Sequence, residues 1–120
     1  MDITFFDENG EPIAYSDDNE HIFLFDGSAV AFISDDSIYD YDGKHLGWFE
    51  DGWVRDGNGY CVFFTDEAIG GPMHPMKSMK PMKSLKELKP LKGLKELKPL
   101  KSLKSSSWSQ QSNVNFFYDK

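Results

Sequence analysis

Apolar and polar positions follow two different rhythms along these 120 residues. In the first part, Gly27, Gly43 and Gly59 stand sixteen residues apart, and Gly10 stands seventeen before Gly27. After each glycine come an apolar residue, one intervening residue and an aromatic. The pairs are Ile13/Tyr15, Val30/Phe32, Leu46/Trp48 and Val62/Phe64, around Ala14, Ala31, Gly47 and Phe63. A spacing of two places the members of a pair on one face of a strand, so these eight residues are the expected core. A second short strand precedes each glycine and ends in Asp: 3–6 before Asp7, 22–25 before Asp26, 38–41 before Asp42 and 53–55 before Asp56. Asp26-Gly27, Asp42-Gly43 and Asp56-Gly57 read as hairpin turns, because glycine accepts the positive φ that tight turns demand. Acidic turns at 16–19, 34–36, 50–52 and 65–67 separate the units. The reading is an all-β head of four β-hairpin repeats, eight short strands in a meander with a period of about sixteen residues. One hairpin cannot bury its own face, so the four must pack together, around an axis or in a row.

From Met73 the rhythm changes to three. Met73, Met76, Met79, Met82, Leu85, Leu88, Leu91, Leu94, Leu97, Leu100 and Leu103 recur at that spacing. Lys follows each of them except Met73, which His74 follows; the third position holds Pro, Ser, Glu or Gly. Pro72, Pro81, Pro90 and Pro99 are nine apart, with an additional Pro75. In an α-helix a period of three drifts by roughly 60° per repeat, and interior prolines cost about 3 kcal/mol each. A 3₁₀-helix has the right period but rarely exceeds one turn. Polyproline II has three residues per turn and tolerates proline. An extended polyproline-II-like tail is therefore expected ahead of short helical turns or a disordered chain.

The chain divides accordingly into an acidic β-hairpin head (1–69), a Gly-Gly-Pro joint (70–72), the triplet-repeat tail (73–104), and a polar linker with an aromatic C-terminal segment (105–120). Val114, Phe116, Phe117 and Tyr118 read as a final strand or a docking plug. A straight polyproline II tail would run about 95 Å, against a head only about 25 Å across. Eleven Met/Leu side chains left in water would be a liability. The tail is thus expected to pack on copies of itself or of the head, or to fold back in shorter segments.

Charge sharpens the division. Residues 1–72 carry seventeen Asp/Glu against Lys44 and Arg55, a balance of −15, whereas residues 73–120 balance at +8. Head and tail should attract each other, within one chain or between copies. The first residues lack a basic, apolar leader pattern, no apolar run reaches the roughly 18 residues of a membrane span, and Cys61 stands alone. A soluble cytoplasmic protein with no membrane partner is expected.

Candidate chemistry is sparse. Asp7-Glu8-Asn9-Gly10 and Asp56-Gly57-Asn58-Gly59 resemble fragments of a calcium loop but lack its twelve-residue ligand set. His21, His45, His74 and Cys61 are scattered, which speaks against zinc. Cys61, at a strand start, reads as a small core hydrophobe rather than a nucleophile. No catalytic residue, metal, cofactor or small-molecule substrate is assigned. Two stripes remain. Lys77, Lys80, Lys83, Lys86, Lys89, Lys92, Lys95, Lys98, Lys101 and Lys104 form a ladder that could engage a polyanion such as nucleic acid or polyphosphate. Alternatively, the ladder solubilises the apolar stripe and pairs with acidic heads. Met76, Met79, Met82, Leu85, Leu88, Leu91, Leu94, Leu97, Leu100 and Leu103 form the candidate self-association stripe.

Residues 30–33 (Val-Ala-Phe-Ile), 37–48 (Ser-Ile-Tyr-Asp-Tyr-Asp-Gly-Lys-His-Leu-Gly-Trp), 52–56 and 63–72, the Lys/Pro triplets and Trp108-Ser109 resemble an uncharacterised bacterial family, the four-fold beta flower proteins. The resemblance covers roughly residues 10–109. It implies a flower of four hairpins with a repetitive tail, and it carries no assigned activity or catalytic residue. The function expected is therefore a non-enzymatic structural or interaction protein, a homo-oligomer joined through the tail stripe. Polyanion binding by the lysines and an enzyme with an acidic site between subunits are the alternatives.

Overall fold

A computed structural model describes residues 2–118. Eight strands form a closed antiparallel barrel in chain order: β1 (Ile3–Phe6), β2 (Pro12–Ser16), β3 (His21–Leu24), β4 (Ala29–Ser34), β5 (Ser37–Tyr39), β6 (His45–Glu50), β7 (Trp53–Arg55) and β8 (Cys61–Phe64). They make four hairpins around an axis. The molecule is a thick disc measuring 36 × 35 × 24 Å.

Each hairpin carries one β-bulge at the same place. Phe5 pairs with Ala14 but Phe6 with Pro12, which leaves Ile13 as the extra residue. Val30, Leu46 and Val62 are the extra residues of the other three hairpins. A bulge interrupts the two-residue alternation of side chains, and this corrects the expected core. Val30 and Val62 join the interior with Ala14, Ala31 and Phe63, the residues between the paired positions; Ile13 and Leu46 pack against it half-buried. Opposite Ala14, Ala31, Gly47 and Phe63 stand Phe5, Ile22, Ile38 and Val54. A large side chain thus stands beside a small one in three of the four hairpins, which suits a narrow interior. Tyr15, Phe32, Trp48 and Phe64 point to the other side of the sheet, yet they are only 1, 2, 5 and 0% exposed. Something covers the outside of the barrel.

The hairpin tips explain the glycine period. Backbone bonds Asp7 N to Glu11 O, Leu24 N to Ser28 O, Asp40 N to Lys44 O and Asp56 N to Tyr60 O close five-residue loops of one design. The fourth residue of each loop, Gly10, Gly27, Gly43 or Gly59, has φ between 80° and 97°. In the fourth tip the left-handed glycine is therefore Gly59 rather than Gly57. Asp7, Asp40 and Asp56 each accept two backbone N–H bonds through Oδ1. The calcium-loop fragments are thus turn-building aspartates. At the opposite end of the strands, Asn19, Asp35 and Asp51 take left-handed φ in the acidic turns.

Barrel closure is thinnest between β8 and β1, which share the single pair Phe6–Phe64. The C-terminal segment fills the gap. Cys61 N donates to Ser107 O and Ser109 N to Cys61 O, and Ser112 Oγ donates to Val62 O. A 3₁₀ turn, Val114–Phe117, follows, capped by Asn113. Its Phe116 and Phe117 are buried in the core against Phe63, with ring centroids 5.7 and 5.6 Å away. Phe116 and Phe117 are a plug, Val114 and Tyr118 stay exposed, and the final-strand reading falls. Gly47 makes room for it, since a Cβ there would stand 3.0 Å from the Phe116 ring.

Candidate interaction surface

Residues 73–104 carry neither helix nor strand. They run around the barrel as a belt, visiting the hairpins in chain order. Glycine Cα atoms at the four tips form its seats: a Cβ would lie 2.0 Å from Met76 O at Gly10, 2.1 Å from Leu85 O at Gly27, 2.0 Å from Leu94 O at Gly43 and 2.1 Å from Leu103 O at Gly59. Nine belt residues therefore match one hairpin. Two residues after each seat, Ser78 N, Glu87 N, Glu96 N and Ser105 N donate to the oxygens of those same glycines at 2.8–3.1 Å. The carboxylates of Glu87 and Glu96 also accept the N–H groups of Ala29 and His45. The belt is thus tied by backbone bonds at each quarter turn.

The three faces of the triplet repeat have separate roles. The third positions bond the barrel. The lysines lean onto it, with side chains 38–53% exposed where they form ion pairs. The Met/Leu side chains face away, 91–96% exposed from Met73 to Leu103. The three-residue period expected from sequence is thus present, but its apolar stripe covers nothing on its own head.

Acidic turns and outer aromatics together receive the lysines. Lys83 sits over the Tyr15 ring at 4.3 Å, Lys92 over Phe32 at 4.8 Å and Lys101 over Trp48 at 4.8 Å. Lys86 lies over Phe23 and Lys95 over Tyr39. Ammonium groups of the belt also reach carboxylates: Lys77 to Asp66, Lys83 and Lys86 to Asp17, Lys92 to Glu20, Lys98 and Lys101 to Asp36, Lys101 to Glu50, and Lys104 to Asp51, whereas Lys95 donates to Ser34 Oγ. Hydrogen bonds from Lys101 and Lys98 hold the Asp36 carboxyl far below its ordinary range. Lys86 does the same, less strongly, for Asp17, and Lys92 for Glu20. Lys80, Lys89 and Lys95 form no ion pair among the described residues. Single exposed pairs contribute about 0–1 kcal/mol, and cation–π contacts at such sites about 0.5–1 kcal/mol. Their effect here comes from repetition along one belt.

The triplet irregularity at His74 has a structural meaning. Positions 74, 83, 92 and 101 are nine apart, and each caps the outer aromatic of one hairpin. In the fourth hairpin His74 stacks on Phe64, with centroids 4.7 Å apart and planes at 17°. Trp53 and Trp108 complete this cluster at the barrel seam, where the belt begins and ends. Arg55, 8% exposed, secures the end by donating to Gly59 O at 2.7 Å and Ser105 O at 2.6 Å.

Other candidate groups are structurally committed. Cys61 is fully buried, and burial pushes its thiol up, opposite to nucleophile activation. His45 lies 2.9 Å from Ser37 Oγ, a pairing not foreseen from sequence; Ser37 is 0% exposed, so no substrate reaches that hydroxyl. Burial lowers the His45 pKa and keeps the ring neutral. A cleft of about 530 Å³ lies between the third and fourth tips, with Lys44, Asp56, Asn58, Tyr60 and Gln111 in its lining. No three His, Cys, Asp or Glu side chains among the described residues converge on a metal position. Among those residues, no helix is long and apolar enough to cross a membrane.

The aromatic seats of the lysines were hidden from sequence, whereas pairing of the ladder with acidic groups of the head was among the expectations. Two signals pointed to those seats: the nine-residue spacing of Pro81, Pro90 and Pro99 beside a sixteen-residue glycine period, and an aromatic at a fixed place in every hairpin. The profile of a family described as 4-fold beta flower protein matches residues 3–117. No curated protein and no solved structure matches the chain.

Proposed function

The chain belongs to the 4-fold beta flower family, and we propose that it is a non-enzymatic structural protein that self-associates through its outward Met/Leu belt. The observation that carries this reading is the exposure of eleven apolar side chains, 91–96% each, in one unbroken row around the disc. Monomeric soluble proteins rarely keep such continuous apolar surface uncovered. Energetics favour a row over a point contact. Burying one Leu contributes about 1.5–3 kcal/mol, whereas association costs about 4–15 kcal/mol in lost freedom. Several belt residues must be covered together, and a stripe provides that.

Polyproline II geometry for the belt is part of the proposal. Nine residues at about 3.1 Å each span roughly 28 Å, so four quarters close a ring about 36 Å in diameter. That figure agrees with the 36 × 35 Å breadth of the disc. The non-enzymatic reading is supported by the use of the acidic turns as lysine seats, and a cytoplasmic setting fits the free, buried Cys61.

Sedimentation over a concentration series tests the proposal. Wild-type protein should associate, and changing Leu91, Leu94 and Leu97 to Ser should abolish association without loss of the fold, because these side chains are 94–96% exposed. A wild-type chain that stays monomeric at every concentration refutes it.

A further inference from the structure

We propose that Met73, Met76, Met79 and Met82 form a reversible oxidation site that controls association of the belt. The proposal rests on the self-association reading above. The chain has five methionines, one of them Met1; the other four occupy four consecutive outward positions of the belt. From residue 85 onward the same positions are all Leu. Methionine is ordinarily a filler of irregular core gaps, but these four are 91, 91, 93 and 92% exposed. The rim of the disc is thus divided into a thioether arc and an aliphatic arc.

The two arcs are alike in hydrophobicity and unlike in reactivity. A thioether sulfur carries a lone pair that attacks one oxygen of hydrogen peroxide. The O–O bond breaks, that oxygen joins Sδ and gives its proton to the departing hydroxide, which leaves as water. The sulfur loses two electrons and the peroxide gains them. The product, methionine sulfoxide, is polar, and methionine sulfoxide reductases return it to the thioether. Leucine has no equivalent reaction, so the residues from Leu85 to Leu103 are inert to the same oxidant.

Geometry separates this change from the fold. The Met side chains face away from the barrel, while the belt beneath them is held by other groups. Ser78 N is bonded to Gly10 O, Lys77 is paired with Asp66, and His74 is stacked on Phe64. Oxidation therefore makes part of the contact surface polar without releasing the belt. Cys61 does not compete for the oxidant, because it is fully buried.

The test uses the full chain, treated with hydrogen peroxide at low protein concentration, with peptide mapping to place the added oxygens. Sulfoxide should form at Met73, Met76, Met79 and Met82 with the unfolding transition unchanged. The dissociation constant for self-association should rise at least tenfold, and methionine sulfoxide reductase should restore it. A variant with all four changed to Leu should associate equally before and after peroxide. Oxidised wild-type protein that associates as tightly as untreated protein overturns the proposal, as does a quadruple variant that remains peroxide-sensitive. Untreated protein that never associates points instead to failure of the self-association reading itself.

Discussion

Replacing Gly27 by Ala places a methyl group where the belt crosses the second hairpin. Two costs arise. Gly27 has φ of +97°, and a left-handed conformation costs an L-residue about 1–2 kcal/mol. The new Cβ would also stand 2.1 Å from Leu85 O, far inside contact distance, and the obstacle is backbone rather than a flexible side chain. The belt must retreat there. It then gives up the bond from Glu87 N to Gly27 O at 2.9 Å and that from Ala29 N to the Glu87 carboxylate at 2.6 Å. One neutral and one charge-assisted bond are together worth about 2–3 kcal/mol. The expected loss is therefore about 3–5 kcal/mol. Gly57→Ala is the control, since nothing lies within 4 Å of its Cβ position and its φ is not among the positive values. It should change stability by less than about 0.5 kcal/mol. Denaturant unfolding measures the difference, and limited trypsin digestion shows where it arises. The bond after Lys86 should become the first cleaved in Gly27→Ala and stay protected in Gly57→Ala. Equal stability and equal cleavage in the two variants would refute the glycine-seat account.

Two further outcomes are expected. Phe116→Ala should destabilise the barrel by about 3–5 kcal/mol, because the ring fills the space left by Gly47; a thermal or urea transition that moves by less than about 1 kcal/mol would show that the C-terminal segment is not a plug. Belt attachment should depend on pH at both extremes. Asp36 and Asp17 have folded pKa values lowered by their lysines, so their contribution is complete above the unfolded value of about 3.9 and lost as pH falls through the folded one. Lys86 and Lys101 are raised by Asp17 and Glu50, so theirs is complete below about 10.4 and lost as pH rises through the folded value. Proteolytic protection of the belt that stays flat from acid to alkali would rule out the lysine seats as its anchor.

Much of the architecture was legible because local chemistry and global symmetry agree. The positive-φ glycines mark hairpin tips, the acidic turns mark the returns between hairpins, and the triplets mark an extended chain. Two features were not legible. The bulges at Ile13, Val30, Leu46 and Val62 are register events, which arise from pairing with the neighbouring strand, so a two-residue count along one strand misplaces the core. The facing of the tail was hidden for a different reason. Apolar residues normally seek cover, which argued for a buried Met/Leu stripe. The barrel's outside offers Tyr15, Phe32 and Trp48 flanked by carboxylates, and such a surface binds an ammonium group on an aliphatic stem better than it binds Leu. The aromatics were visible in the sequence, but without the bulges they pointed inward, which left the lysines only the acidic turns as seats.

The matching of nine belt residues to each hairpin limits how such a gene can change length. An insertion in the belt that is not a whole nine residues shifts every later carbonyl off its glycine and every later lysine off its ring. An added hairpin without nine added belt residues leaves one tip unstrapped. The tolerated seventeen-residue step between Gly10 and Gly27 is accommodated at the turn around Asp18, whose Oδ1 binds Glu20 N and His21 N, away from the tips where the two periods must coincide. Growth or shrinkage of this molecule is therefore a paired event: two distant stretches of coding sequence must be edited together, and either edit alone strips the gear.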